Sequence, residues 1–183
     1  MRIARRSTTR VAASSMVAAA AFALVGVQAA GQTASAATSN KVVTAACTTA
    51  NTKLTVKDVP RPINHLLLTA TNTGTKACNL YYAPYLGAGA GAQAPIQWLE
   101  SSKPQAVVTL APGESGYAGI GTFTPDGHSG HTAKTLGVSF ANREANGSVG
   151  NAATLNLPNG GTYFNSSAFV TYWQSDVYNA LFS

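Results

Sequence analysis

The sequence predicts an all-β protein, an antiparallel β-sandwich of immunoglobulin-like type that follows an N-terminal signal peptide. Three observations carry this prediction. Short runs with the two-residue alternation of half-buried strands recur along the chain. Glycine and proline, 17 and 8 in all, break those runs at short intervals. No segment carries a helical period, so crossover helices are not expected and the strands must bury their apolar faces on one another.

The first element is the leader. Arg2, Arg5, Arg6 and Arg10 precede an almost wholly small or apolar stretch over residues 11–30, and Ala34-Ser35-Ala36 supplies the small residues a signal peptidase requires. Cleavage is expected after Ala36, so residues 1–36 form the signal peptide. The apolar stretch is just long enough to cross a bilayer, but its alanine-rich composition and small-residue exit favour a cleaved signal over an anchor. Arg5-Arg6 resembles a twin-arginine signal, yet Ser7, Thr8 and Thr9 stand where that signal carries apolar residues. Thr44-Ala45-Ala46-Cys47 faintly resembles a lipidation site, but it lies too far beyond the apolar run for that processing. No later stretch is apolar enough to span a membrane, and no transmembrane anchor is expected in the mature form.

Residues 37–52 are small and polar and read as an exposed arm, which leaves 53–183 as one domain with its own core. Nine strands are expected in it, over Lys53–Val59, His65–Asn72, Cys78–Tyr82, Ile96–Leu99, Ala106–Leu110, Tyr117–Phe123, Thr135–Ala141, Ala153–Leu157 and Phe169–Trp173. Leu136, Val138 and Phe140 oppose Thr135, Gly137 and Ser139, and Leu54 and Val56 oppose Lys53, Thr55 and Lys57. Asn72-Thr73-Gly74 and Ala111-Pro112-Gly113-Glu114 are the sharpest turns. A closed barrel is the alternative architecture.

Charge narrows the partners. The chain has 12 Lys+Arg against 6 Asp+Glu, but four of the basic residues lie in the leader and no acid precedes Asp58. The mature domain is therefore only slightly basic and has no basic stripe, so nucleic acid is not an expected partner. Cys47 and Cys78 are the only thiols, and an even count in an oxidising compartment favours a disulfide over metal binding or a nucleophile.

The run Leu66-Leu67-Leu68-Thr69-Ala70-Thr71-Asn72-Thr73-Gly74, then Cys78-Asn79-Leu80 and Pro84, then Val108-Thr109-Leu110-Ala111-Pro112-Gly113-Glu114-Ser115 resembles the secreted actinobacterial family catalogued as domain of unknown function 4232. In that family a Cys opens the domain, a position Cys47 fits. The resemblance covers roughly residues 47–173. Many members carry further cysteines in the second half, and this chain has none there. The resemblance implies an exported β-sandwich, lipid-anchored or freely secreted, and brings no catalytic residue or cofactor.

Candidate chemistry is sparse. Asp126, His128 and His131 lie within six residues and offer a weak metal site, but the glycines between them favour a polar loop. A Ser129/His131/Asp126 triad is disfavoured, because triads are assembled from separate elements. A hydrolase would need His128 and His131 to meet a distant acid such as Glu100 or Glu144. His65 reads as a strand-margin residue, and Leu86–Ala94 as a mobile inter-strand loop rather than a phosphate cradle.

Aromatic residues are the stronger lead. Tyr81, Tyr82, Tyr85, Tyr172 and Trp173 join a flat apolar face to a polar tip, the combination favoured at recognition surfaces. Adjacent aromatics on a strand should point to opposite faces, leaving one of each pair outside. The expected function is thus a secreted, non-enzymatic binding or structural module facing an extracellular protein or a cell-wall glycan. Carbohydrate or peptidoglycan binding through three coplanar exposed rings is the alternative, and an extracellular hydrolase the weaker one. No cofactor is expected.

Overall fold

A computed structural model describes residues 42–183. The signal peptide, its cleavage after Ala36 and the start of the arm lie outside the described residues. The described chain is mostly β, with twelve strands, two 3-10 turns (Glu100–Ser102 and Pro158–Gly160) and one short α-helix. The strands are β1 (Thr52–Asp58), β2 (His65–Asn72), β3 (Cys78–Leu80), β4 (Tyr85–Ala88), β5 (Gln97–Leu99), β6 (Val108–Leu110), β7 (Ser115–Gly121), β8 (His131–Ala133), β9 (Thr135–Ala141), β10 (Ser148–Asn156), β11 (Thr162–Phe164) and β12 (Phe169–Thr171), followed by helix α1 (Val177–Phe182).

The strands form a five-stranded sheet in the order β1-β2-β7-β12-β5, a three-stranded sheet β10-β9-β4, and the pairs β11-β8 and β3-β6. Alternation explains the inner faces. Along β2, Leu66, Leu68 and Ala70 are buried, and their partners across the ladder in β7 are Ile120, Ala118 and Gly116. Along β9, Leu136, Val138 and Phe140 are buried as their spacing requires. Both rows enter one buried cluster with Leu80, Leu86, Leu110 and Trp173. Each such Leu removed from water stabilises the fold by about 1.5–3 kcal/mol.

Both sharp turns occur where the sequence places them. Gly113 has φ 85°, the value a type II turn demands after Pro112, and the Glu114 N–H donates to the Ala111 carbonyl at 3.0 Å. Asn72 is buried, and its side chain accepts from Gly74 N–H and donates to the carbonyls of Lys76 and Leu110, each at 2.9 Å.

Three expectations are corrected. The sheets are not purely antiparallel, because β12 pairs β5 in parallel. The chain between those strands runs through β6 to β11, a connection long enough to re-enter in either direction. A helix is present at the end of the chain: Asp176 caps it by accepting the Asn179 N–H at 2.8 Å, and its six residues are too few to display a period. The arm is pinned along part of its length. Asn79 N–H donates to the Ala45 carbonyl and Cys47 N–H to the Asn79 carbonyl, each at 2.8 Å, although Val42, Thr44 and Ala45 remain exposed. The expected Cys47–Cys78 disulfide is formed, with a Cα–Cα distance of 4.9 Å and both cysteines buried. Among the described residues no helix is long and apolar enough to cross a membrane.

Candidate functional site

A groove of about 330 Å³ opens where β3, β12 and the segment before β6 come together. Its inner wall is Leu80, Tyr81, Tyr172 and Trp173, while Lys103–Val107 forms one rim and Tyr82 and Arg143 the other. Ser102 knits these pieces together. Its hydroxyl donates to the Leu99 carbonyl at 2.6 Å and accepts the Tyr172 N–H at 2.9 Å, and its carbonyl accepts from the Gln174 side chain. Opposite, the Tyr82 carbonyl accepts the Trp173 N–H at 2.9 Å, and the Tyr82 hydroxyl donates to the Arg143 carbonyl at 3.1 Å. Tyr82 has φ 53°, an uncommon value for a residue with a side chain, and it is held by contacts on several sides.

Four of the five aromatic candidates line this groove, but they do not form an exposed platform. Tyr81 is buried, its hydroxyl accepting from Asn79 at 3.1 Å and donating to the Thr44 carbonyl at 2.9 Å. Tyr172 and Trp173 are both buried, against the expectation that one of them faces outward. Their alternation survives, but both faces are covered: Trp98 packs edge-on against Tyr172 at 5.8 Å, and Phe140 stacks on Trp173 at 5.8 Å. Tyr82 escapes alternation altogether, because β3 ends at Leu80 and the left-handed φ turns the chain. The half-buried set is Tyr82, Trp98 and Tyr85. The Tyr82 and Trp98 rings lie 6.1 Å apart and 9° from parallel, whereas Tyr85 tilts 36° from Trp98. Two near-parallel rings and a tilted third thus replace the three coplanar rings expected.

The sequence model of the domain of unknown function DUF4232 matches residues 47–174, from the first cysteine of the disulfide to the residue after Trp173. The chain belongs to that family. Nothing among the curated proteins or the solved structures matches it. In this DUF4232 chain the matched segment holds the whole groove, so groove and domain are one unit.

Electrostatics in the DUF4232 groove centre on Tyr172 and Glu100. The phenol donates to both carboxylate oxygens, at 3.0 and 2.9 Å. Burial first, and then the bond to Glu100 and its charge, push the Tyr172 hydroxyl up to about 12. The hydroxyl is therefore neutral and already engaged, so Tyr172 offers the groove its ring. Lys103 Nζ stands 6.0 Å from the centre of that ring, a cation–π approach.

The His/Asp cluster does not converge. Among the described residues no three His, Cys, Asp or Glu side chains are placed to hold a metal. His131 lies on β8 with Nε2 3.1 Å from the Ala88 carbonyl, whereas His128 Nδ1 lies 3.3 Å from Ser166 Oγ. Asp126 is exposed, and its bond from Thr124 holds the carboxyl below the usual range. Glu100, one acid a hydrolytic site would recruit, is committed to Tyr172. A larger cavity, about 780 Å³, lies between Gly89–Pro95 and β8, with Lys134 and Ser166 on its walls. One wall is the Gly/Ala loop, while Gln93, Gln97, His131 and Phe164 supply the larger side chains of its lining. The smaller groove is the better candidate, because rigid rings and two cations converge there.

Ser102, Lys103, Gln105 and Arg143 were not visible as site residues in the sequence. Each lies in a polar connection, and only the fold brings them to the aromatic side chains.

Proposed function

We propose that the protein is a non-enzymatic binding module that works outside the cell membrane, built as an immunoglobulin-like sandwich and taking its ligand in the Tyr82–Tyr172 groove. The groove carries this reading: a concave site whose walls are rings, aliphatic side chains and two cations is suited to contact rather than to bond breaking. The buried disulfide fits an oxidising compartment, and an arginine-rich leader ending in Ala34-Ser35-Ala36 supports export. The merging of the inner faces of β2/β7 and β9 into one core supports the sandwich. A cell-wall glycan is the favoured ligand over an extracellular protein, because the half-buried Tyr82 ring, backed by Trp98, stands at the groove with a flat apolar face and a polar tip.

Retention of the secreted protein on cell-wall glycan fractions tests the reading. Native protein should be retained, whereas Tyr82→Ala and the exposed-rim variant Val107→Asp should be washed off while keeping the native circular dichroism spectrum. Equal retention of all three folded proteins refutes the groove as the binding site. Mass measurement of the secreted form should show a chain starting at Ala37 with both cysteines oxidised.

A further inference from the structure

The residues lining the groove include two cations, Lys103 and Arg143, and no carboxylate. Glu100 accepts the Tyr172 hydroxyl from outside the lining, and Glu144, next to Arg143 in the chain, does not line the groove either. Positive charge therefore stands at both rims of a cleft whose inner surface is aromatic and aliphatic. Lys103 sits over the Tyr172 ring, and the backbone of Arg143 is tied to the Tyr82 hydroxyl. A volume of about 330 Å³ is at the small end for ligand sites, which suits one or two rings rather than a long polymer segment.

We propose that this groove binds an acidic sugar, a pyranose ring carrying a carboxylate. Lys103 and Arg143 hold the anion, the half-buried Tyr82 ring packs on the sugar's apolar face, and the Gln105 amide meets its hydroxyls. The assignment rests on the reading of the groove as the ligand site. A neutral sugar would leave both cations without a partner, and a purely apolar ligand would also desolvate them, so a negative charge on a ring-shaped body is the complement of these walls.

A glucuronate-containing disaccharide and its neutral glucose counterpart, titrated into the full chain by calorimetry and indole fluorescence, test the proposal. The acidic sugar should bind at least about tenfold more tightly at low salt, and the gap should narrow as ionic strength rises. Lys103→Ala and Arg143→Ala should each weaken the acidic sugar by about fivefold and the neutral one by less, so that the gap between the two sugars shrinks. Lys103→Arg should retain binding. Equal affinity for both sugars, tighter binding of a glutamate-rich peptide, or no effect of either alanine variant overturns the proposal. If neither sugar binds while wall retention still depends on Tyr82, the acidic-sugar assignment fails alone; if wall retention is also independent of Tyr82, the groove reading falls with it.

Discussion

At Tyr172 a phenol and a carboxylate share a part-buried hydrogen bond, and its pH dependence follows from the direction of the shift. The hydroxyl loses its proton near 10 in an unfolded chain and at about 12 in the fold. Between those values the unfolded chain binds fewer protons than the native one, so stability falls as pH rises. Discounted for solvent around the part-buried bond, the loss should be about 1 kcal/mol across that window, and Tyr172→Phe should abolish it. Near neutral pH the Phe variant should be less stable by about 1 kcal/mol, having lost the bond to Glu100. Urea unfolding of both proteins at pH 8 and pH 12 checks this: the native protein should be the more stable at the lower pH and lose its advantage at the higher. A constant difference would show that the phenol does not titrate through this bond. Sequence could name Tyr172 as a candidate but not its partner, because Glu100 and Tyr172 meet only through the parallel β5–β12 pairing.

The same limit governs whole elements. Strands with long alternating runs were legible: β2 and β9 occupy the spans their patterns predict, and β1 is displaced by one residue. β4, β8 and β11 were not legible, because Tyr85–Ala88 contains glycine, His131–Ala133 is polar, and each is short enough to depend on its partner strand. Helix α1 depends on its neighbour even more. A Cβ placed on Gly119 of β7 would lie 2.0 Å from the Ala180 carbonyl oxygen, so the absence of a side chain there is what lets the helix dock. Gly119→Val should push α1 off the sheet and cost about 1–3 kcal/mol, the range for overpacking. Hydrogen exchange should show the α1 amides losing protection while those of β9 keep theirs. Retained protection in α1 would mean that the sheet yields instead of the helix.

For the molecule as a whole, the disulfide does more than close a loop of 31 residues. Ala46 and Asn79 form a parallel bridge beside it, and the Asn79 amide donates to the Val43 carbonyl at 2.7 Å, so the entry segment is clamped along β3 by covalent and hydrogen bonds together. Those bonds are local and individually modest, whereas the sulfur link restricts the unfolded chain before any of them forms. The Cys47→Ala/Cys78→Ala double variant should therefore lose about 3–4 kcal/mol, seen by calorimetry as a melting temperature lower by roughly 10–15 °C. The clamp also reaches the groove: Asn79 bonds the hydroxyl of Tyr81, which lines it, and Leu80 lies between them in the chain. Loosening the entry segment should then weaken ligand retention at temperatures where the core is still folded, because the inner wall loses its backing before the sheets separate. Retention that declines only at the melting transition would show that the groove is held by the sheets alone, and that the clamp serves stability without serving the site.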